Sequence, residues 1–113
     1  MKRIEAIVQD MVITYGTNSP FEICKKLGIR IIYTQLPYTI NGFVVEILEN
    51  KVIVINDIIN DESKLLTCAH ELGHIILHKE INYINELHNN ESHINEMENE
   101  AEYFANYIIT QKI

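Results

Sequence analysis

Cysteine, basic charge in one half of the chain, and long apolar runs are the three things this sequence has little of. There are two cysteines in 113 residues, Cys24 and Cys68, and each sits inside an apolar helical pattern. Two scattered cysteines make a poor disulfide framework for a secreted domain, so both are read as reduced core residues. No apolar run approaches the roughly 18 residues that a membrane span requires. The opening "MKRIEAIVQDM" has the pattern of an amphipathic helix and lacks the apolar core of a signal peptide, so a cytoplasmic protein with no membrane segment is expected. Between Lys79 and Lys112 there is no Lys or Arg, against seven glutamates: Glu80, Glu86, Glu91, Glu96, Glu98, Glu100 and Glu102. With a net charge of −7, that half would repel phosphate, and no direct contact with nucleic acid is expected. For most of these glutamates a solvated surface is explanation enough.

What is present suits one folded unit. Hydrophobic residues make up 47% and charged residues 22%, ordinary globular usage, and 113 residues are enough for one core and too few for two, so a single domain over 1–113 is expected. Ile4, Ile7, Val8, Met11 and Val12 recur at helical spacing, with Gly16 to Asn18 as the stop. "SPFEICKKLGI" predicts a short second helix, with Ser19 as cap, Pro20 at the first position, Glu22 closing a capping box and Gly28 ending it. "IRIIYT", "GFVVEIL" and "KVIVIN" are β-branched runs, the last two joined by a tight hairpin, and predict a three-stranded antiparallel sheet. Helical period returns over 62–78, capped by Asn60 or Asp61, and again over 95–109. Residues 79–94 have no firm period and read as a loop or a frayed helix.

The third helix carries "TCAHELGHIILH". Residues four apart on a helix share a face with Cβ atoms about 5 to 6 Å apart, so His70 and His74 can hold one metal ion between them. Glu71 projects about 100° away from His70, and its carboxylate reaches past the ion toward water. This is the HExxH arrangement, in which two neutral imidazoles bind zinc and the glutamate is the general base. Zinc lowers the pKa of the water it binds from about 15.7 to about 7, which brings proton removal within a carboxylate's reach. Gly73 costs about 1 kcal/mol relative to Ala at a helical position, a sign that another backbone comes close there.

Catalytic zinc keeps three protein ligands and one open position, so a third ligand is needed downstream. His78 shares the face but lies about 6 Å further along the axis from His74, which suits a supporting or packing role. The last helix has an apolar stripe of Met97, Ala101, Phe104 and Ile108. Glu98 flanks that stripe, where a wholly solvated glutamate would be out of place, and Glu102 follows one turn on, able to accept the free N–H of a ligating histidine. Glu100 flanks the opposite side and stays open as the alternative ligand. Tyr83, His88, His93 and Tyr103 are all available as donors to a developing oxyanion.

Taken together, "SPFEICKKLGIRIIY", "INGFVVEI", "VIVIN", "CAHELGHIILH" and "EMENEAEYFANYI" resemble the ImmA/IrrE family of zinc metallopeptidases over nearly the whole chain. The resemblance implies a small zincin-like α+β domain, with the sheet packed against an active-site helix and a C-terminal ligand helix. It implies Zn²⁺ held by His70, His74 and Glu98, with Glu71 as catalytic base. Glu102 stands where the family has Asn or Asp, a departure of one methylene from Asp. The chain ends at "IITQKI", where members commonly continue into further helices, and so reads as a minimal version. By its likeness to anti-repressors of prophages and mobile elements, it is expected to cleave a helix-turn-helix (Xre-type) repressor, with "GFVVEIL" and Glu46 bordering the substrate groove.

Two rival readings follow from the same residues. One keeps the zinc but not the hydrolysis: a catalytically weak binding module that sequesters a repressor or serves in a toxin–antitoxin pair. The other takes "PFEICKKLGI" as the first helix of a DNA-binding helix-turn-helix, against which stand the strand-like "RIIYT" that follows it and the acidic balance.

Overall fold

The computed structural model describes residues 1–78 and 91–113. Its elements are α1 (Lys2–Tyr15), α2 (Pro20–Leu27), β1 (Arg30–Thr34), β2 (Gly42–Ile47), β3 (Asn50–Asn56), α3 (Asp61–Leu77) and α4 (Glu91–Ile108). Local chemistry sets several boundaries. Ser19 Oγ accepts the Glu22 N–H at 3.3 Å and caps α2, but the reciprocal arm of the expected capping box is rerouted. Thr17 Oγ1 takes the Ser19 N–H at 3.0 Å and donates to the Glu22 carboxylate at 2.6 Å. Asn60 caps α3 through Oδ1, which accepts the Ser63 N–H at 2.8 Å. α4 begins at Glu91, four residues before the expected start, and takes in the end of the segment read as loop or frayed helix. The rest of that segment, 79–90, lies outside the described residues, with Tyr83 and His88.

The sheet corrects the expectation of a purely antiparallel arrangement. Its strand order is β1-β3-β2, with β1 parallel to β3 and β2 antiparallel to it. Asn56, at the end of β3, gives a physical reason. Its side chain is fully buried, and Nδ2 donates to the carbonyls of Leu36, Pro37 and Ile40 at 2.9 to 3.2 Å. Its Oδ1 accepts from the N–H groups of Leu36 and Ile58. The segment 35–41 is thereby tied across the end of β3, so β2 is delivered to the far side of that strand and not beside β1. The expected β2–β3 hairpin is present, with Leu48 (φ 50°) and Glu49 (φ 70°) as its two turn residues. α2 runs directly into β1, so no recognition helix follows it.

One face of the sheet meets the helices. Ile53 and Ile55 of β3 pack with Ile4, Val8, Met11 and Val12 of α1, Ile23 of α2, Leu72 of α3, and Phe104 and Ile108 of α4. Cys24 and Cys68 are free and fully buried in this core. A hydrogen bond to Cys24 and burial push the Cys68 thiol up, away from the thiolate. No described helix is long and apolar enough to cross a membrane.

Where α3 meets α4, the expectation of a backbone beside Gly73 is corrected: the group that comes close is the side chain of Phe104. A β-carbon there would lie 3.0 Å from Cδ1 and 3.2 Å from Cβ of the buried Phe104. Gly42 does the same for β2 and α3, since a β-carbon would meet the Val54 carbonyl oxygen at 2.6 Å and Thr67 Cγ2 at 2.7 Å. These two contacts draw β2, α3 and α4 around one cleft.

Candidate metal centre

The cleft has a volume of about 740 Å³ and is bordered by β2, α3 and α4. Helical spacing brings the imidazoles of His70 and His74 together edge to face, with ring centroids 4.9 Å apart and planes at 79°. The buried stripe of α4, with Met97, Ala101, Phe104 and Ile108 all 1% exposed or less, turns Glu98 toward them. His70 Nε2 lies 2.9 Å from Glu98 Oε2, and His74 Nε2 lies 3.2 Å from Glu98 Oε1.

Two imidazoles and a carboxylate are the donor set of a catalytic zinc site with one position left for water or substrate. Ligand bonds of about 2.0 to 2.2 Å place neighbouring tetrahedral donors about 3.3 Å apart, close to the two separations seen here. One ligand atom from each of His70, His74 and Glu98 lies within 4.8 Å of the others. The residues present therefore fit a divalent ion of the zinc type.

Glu71 also lines the cleft. Burial raises its carboxyl to about 7, opposed by the charges of His70 and His74 and reinforced by that of Glu98. A cation held at the imidazoles would pull it back down. For His70 burial is the largest single influence and lowers its basicity. The hydrogen bond to Glu98 and the charges of Glu71, Glu98 and Glu102 outweigh it, leaving the imidazole raised above its ordinary value. His78 goes the other way, lowered chiefly by burial.

The two candidate glutamates left open by the sequence separate here. Glu98 faces both imidazoles, whereas Glu100 points to His78 Nε2 at 2.9 Å and to Arg3 Nη2 at 3.2 Å. Glu102 borders the cleft and is exposed, and its charge acts on His70. Of the residues available as oxyanion donors, Tyr103 does not line the cleft: its hydroxyl donates to Glu5 of α1, and its ring stacks on Tyr107. Arg3 is the residue that sequence reasoning misses, because nothing local links it to a glutamate 97 positions away.

Residues 24–112 match the profile of Peptidase_M78, described as the IrrE N-terminal-like domain. The chain is 38% identical over 79 residues to "Uncharacterized immunity region protein 2" of Bacillus phage phi105, covering 70% of this chain and 50% of that protein. It is 32% identical over 110 residues to "Metallopeptidase ImmA" of Bacillus subtilis (strain 168), covering 96% of this chain and 63% of that protein. The chain thus spans between half and two-thirds of the length of these relatives. Together the profile match and these identities show that the chain belongs to the ImmA/IrrE family.

Proposed function

We infer that this chain is a zinc-dependent endopeptidase acting on a protein partner, with His70, His74 and Glu98 as metal ligands and Glu71 as general base. The observation that carries this reading is the convergence of those three side chains within 4.8 Å, beside Glu71, in a cleft bordered by a strand. Zinc, when bound, supplies Lewis-acid polarisation of the scissile carbonyl and acidifies water. The protein's own residues do the rest. His70 and His74 donate through Nε2 as neutral imidazoles, and Glu98 offsets one positive charge. Glu71 takes the proton of the attacking water and delivers it to the leaving amine. Among the described residues β2 pairs only with β3, and Asn41 to Glu46 border the cleft, so an extended substrate segment can add to its other edge as a further strand.

The partner we propose is a helix-turn-helix (Xre-type) repressor of a prophage or mobile element, which the cleavage would inactivate, in the cytoplasm. Support for this comes from the relatives, one named for a phage immunity region and the other a metallopeptidase. The test is to incubate the chain with the repressor encoded beside it, with zinc, with chelator, and with the Glu71→Gln variant. Cleavage that needs zinc and disappears in Glu71→Gln while zinc stays bound is the expected result. Zinc binding and repressor capture without cleavage by the unaltered chain would instead favour the sequestering module.

A further inference from the structure

Beyond Glu98, the metal-facing histidines have a second line of support that runs back to α1. His74 Nδ1 lies 3.0 Å from His78 Nδ1, and His78 Nε2 lies 2.9 Å from Glu100 Oε1. The other oxygen of Glu100 takes a hydrogen bond from Arg3 Nη2 at 3.2 Å. His78 is 8% exposed, so its ring nitrogens have little access to water. We propose that His78 and Glu100 are positioning residues that fix the tautomer and ring orientation of His74 for metal binding, with Arg3 anchoring the far end.

With a cation between His74 Nε2 and Glu98, proton bookkeeping allows one neutral arrangement. The Glu100 carboxylate only accepts, so His78 must carry its proton on Nε2 and donate it there. His78 Nδ1 is then bare and accepts, which requires the proton of His74 to be on Nδ1. His74 Nε2 is left with its lone pair directed to the side where Glu98 lies, as a ligand must be. The opposite placement would set a bare His78 Nε2 against a carboxylate and put the His74 proton on the nitrogen needed for the ion. Glu100 thus selects the ligating tautomer of a residue it does not touch. Such outer partners commonly change metal affinity by about 10- to 100-fold.

The inference rests on the reading of His70, His74 and Glu98 as ligands, and Co²⁺ binding to the full chain, measured against a chromophoric chelator, separates the two. Wild type is expected to bind Co²⁺ and His74→Ala to lose it. Failure of the wild type to bind, or equal binding by His74→Ala, overturns the metal centre itself. With the centre intact, His78→Phe and Glu100→Ala are expected to weaken Co²⁺ binding by about 10-fold or more at unchanged helical circular dichroism. His78→Gln, which supplies an acceptor and a donor in one group, is expected to bind more tightly than His78→Phe. Nitrogen-15 shifts of the imidazoles should place the His78 proton on Nε2. The relay is overturned if Glu100→Ala binds within about twofold of wild type, if His78→Gln and His78→Phe bind equally, or if the His78 proton is on Nδ1. Glu100→Ala leaves the His78 ring in its packing, so the test does not depend on the folding of a histidine variant.

Discussion

Gly73 and Phe104 face each other where α3 crosses α4, so closely that a β-carbon at Gly73 would lie 3.0 to 3.2 Å from three atoms of the Phe104 side chain. Gly73 immediately precedes His74, and Phe104 lies on the helix that carries Glu98. The spacing of those two helices is therefore also the spacing of the candidate ligands.

Gly73→Ala sets two effects against each other. Helix propensity favours Ala by about 1 kcal/mol, while overpacking costs about 1 to 3 kcal/mol. Overpacking is expected to win, because the Cβ of Phe104 is among the crowded atoms and cannot rotate away. Urea unfolding should show a net loss of about 1 kcal/mol, accompanied by weaker Co²⁺ binding. Gly73→Ala combined with Phe104→Ala, which removes the crowding Cγ and Cδ1, should lose less metal affinity than the two single losses added together, and a double variant worse than the sum of the singles would reject the contact as the cause.

Metal binding should divide the cleft residues into two groups. Zinc at about 100 times its Kd adds about 2.7 kcal/mol to the stability of a protein that binds it only when folded. Thermal unfolding of wild type and of Glu71→Gln should rise with zinc and fall with chelator. His70→Ala, His74→Ala and Glu98→Ala should each lose most of the response. A full zinc response in Glu98→Ala would remove that residue from the ligand set.

Asn56→Leu should cost about 2 to 4 kcal/mol, since it strips a fully buried hub of five hydrogen bonds and leaves three carbonyls and two N–H groups of the chain without it. Hydrogen exchange should rise first in 35–41 and along β2, next to the cleft. A cost under about 1 kcal/mol would mean that water replaces the side chain and that Asn56 does not hold β2 in place.

The β2–β3 turn is a place to gain stability. Leu48 and Glu49 both have positive φ, and Leu48 is 90% exposed. Asn-Gly is the pair that best tolerates this conformation, so Leu48→Asn with Glu49→Gly should add about 1 kcal/mol, read as a higher urea midpoint at unchanged slope. An unchanged midpoint would show that the native pair carries no conformational penalty.

Much of the fold is legible because it is local. The Ser19 and Asn60 caps, the helix ends at Gly16 and Gly28 with φ of 68° and 76°, and the two-residue hairpin each follow from a few neighbouring side chains. The capping box at Glu22 is only half legible, since Thr17 competes for the same carboxylate and N–H. Strand order is not legible. β-branched runs announce strands without naming their neighbours, and here a buried Asn at the end of β3 redirects the chain.

The sequence by itself determined the pairing of His70 with His74 and the placing of Glu71 beside them, because a helix fixes positions four residues apart whatever surrounds it. It also marked the apolar stripe by which α4 is buried. Only the tertiary structure decided that Glu98 faces the imidazoles while Glu100 turns to His78 and Arg3, and that β2 borders the cleft. Those outcomes depend on the angle and separation at which α3, α4 and α1 pack. Packing is set by side-chain volumes that meet across tens of residues of chain, as at Gly73 and Phe104, and no periodicity along the sequence records which surfaces will meet.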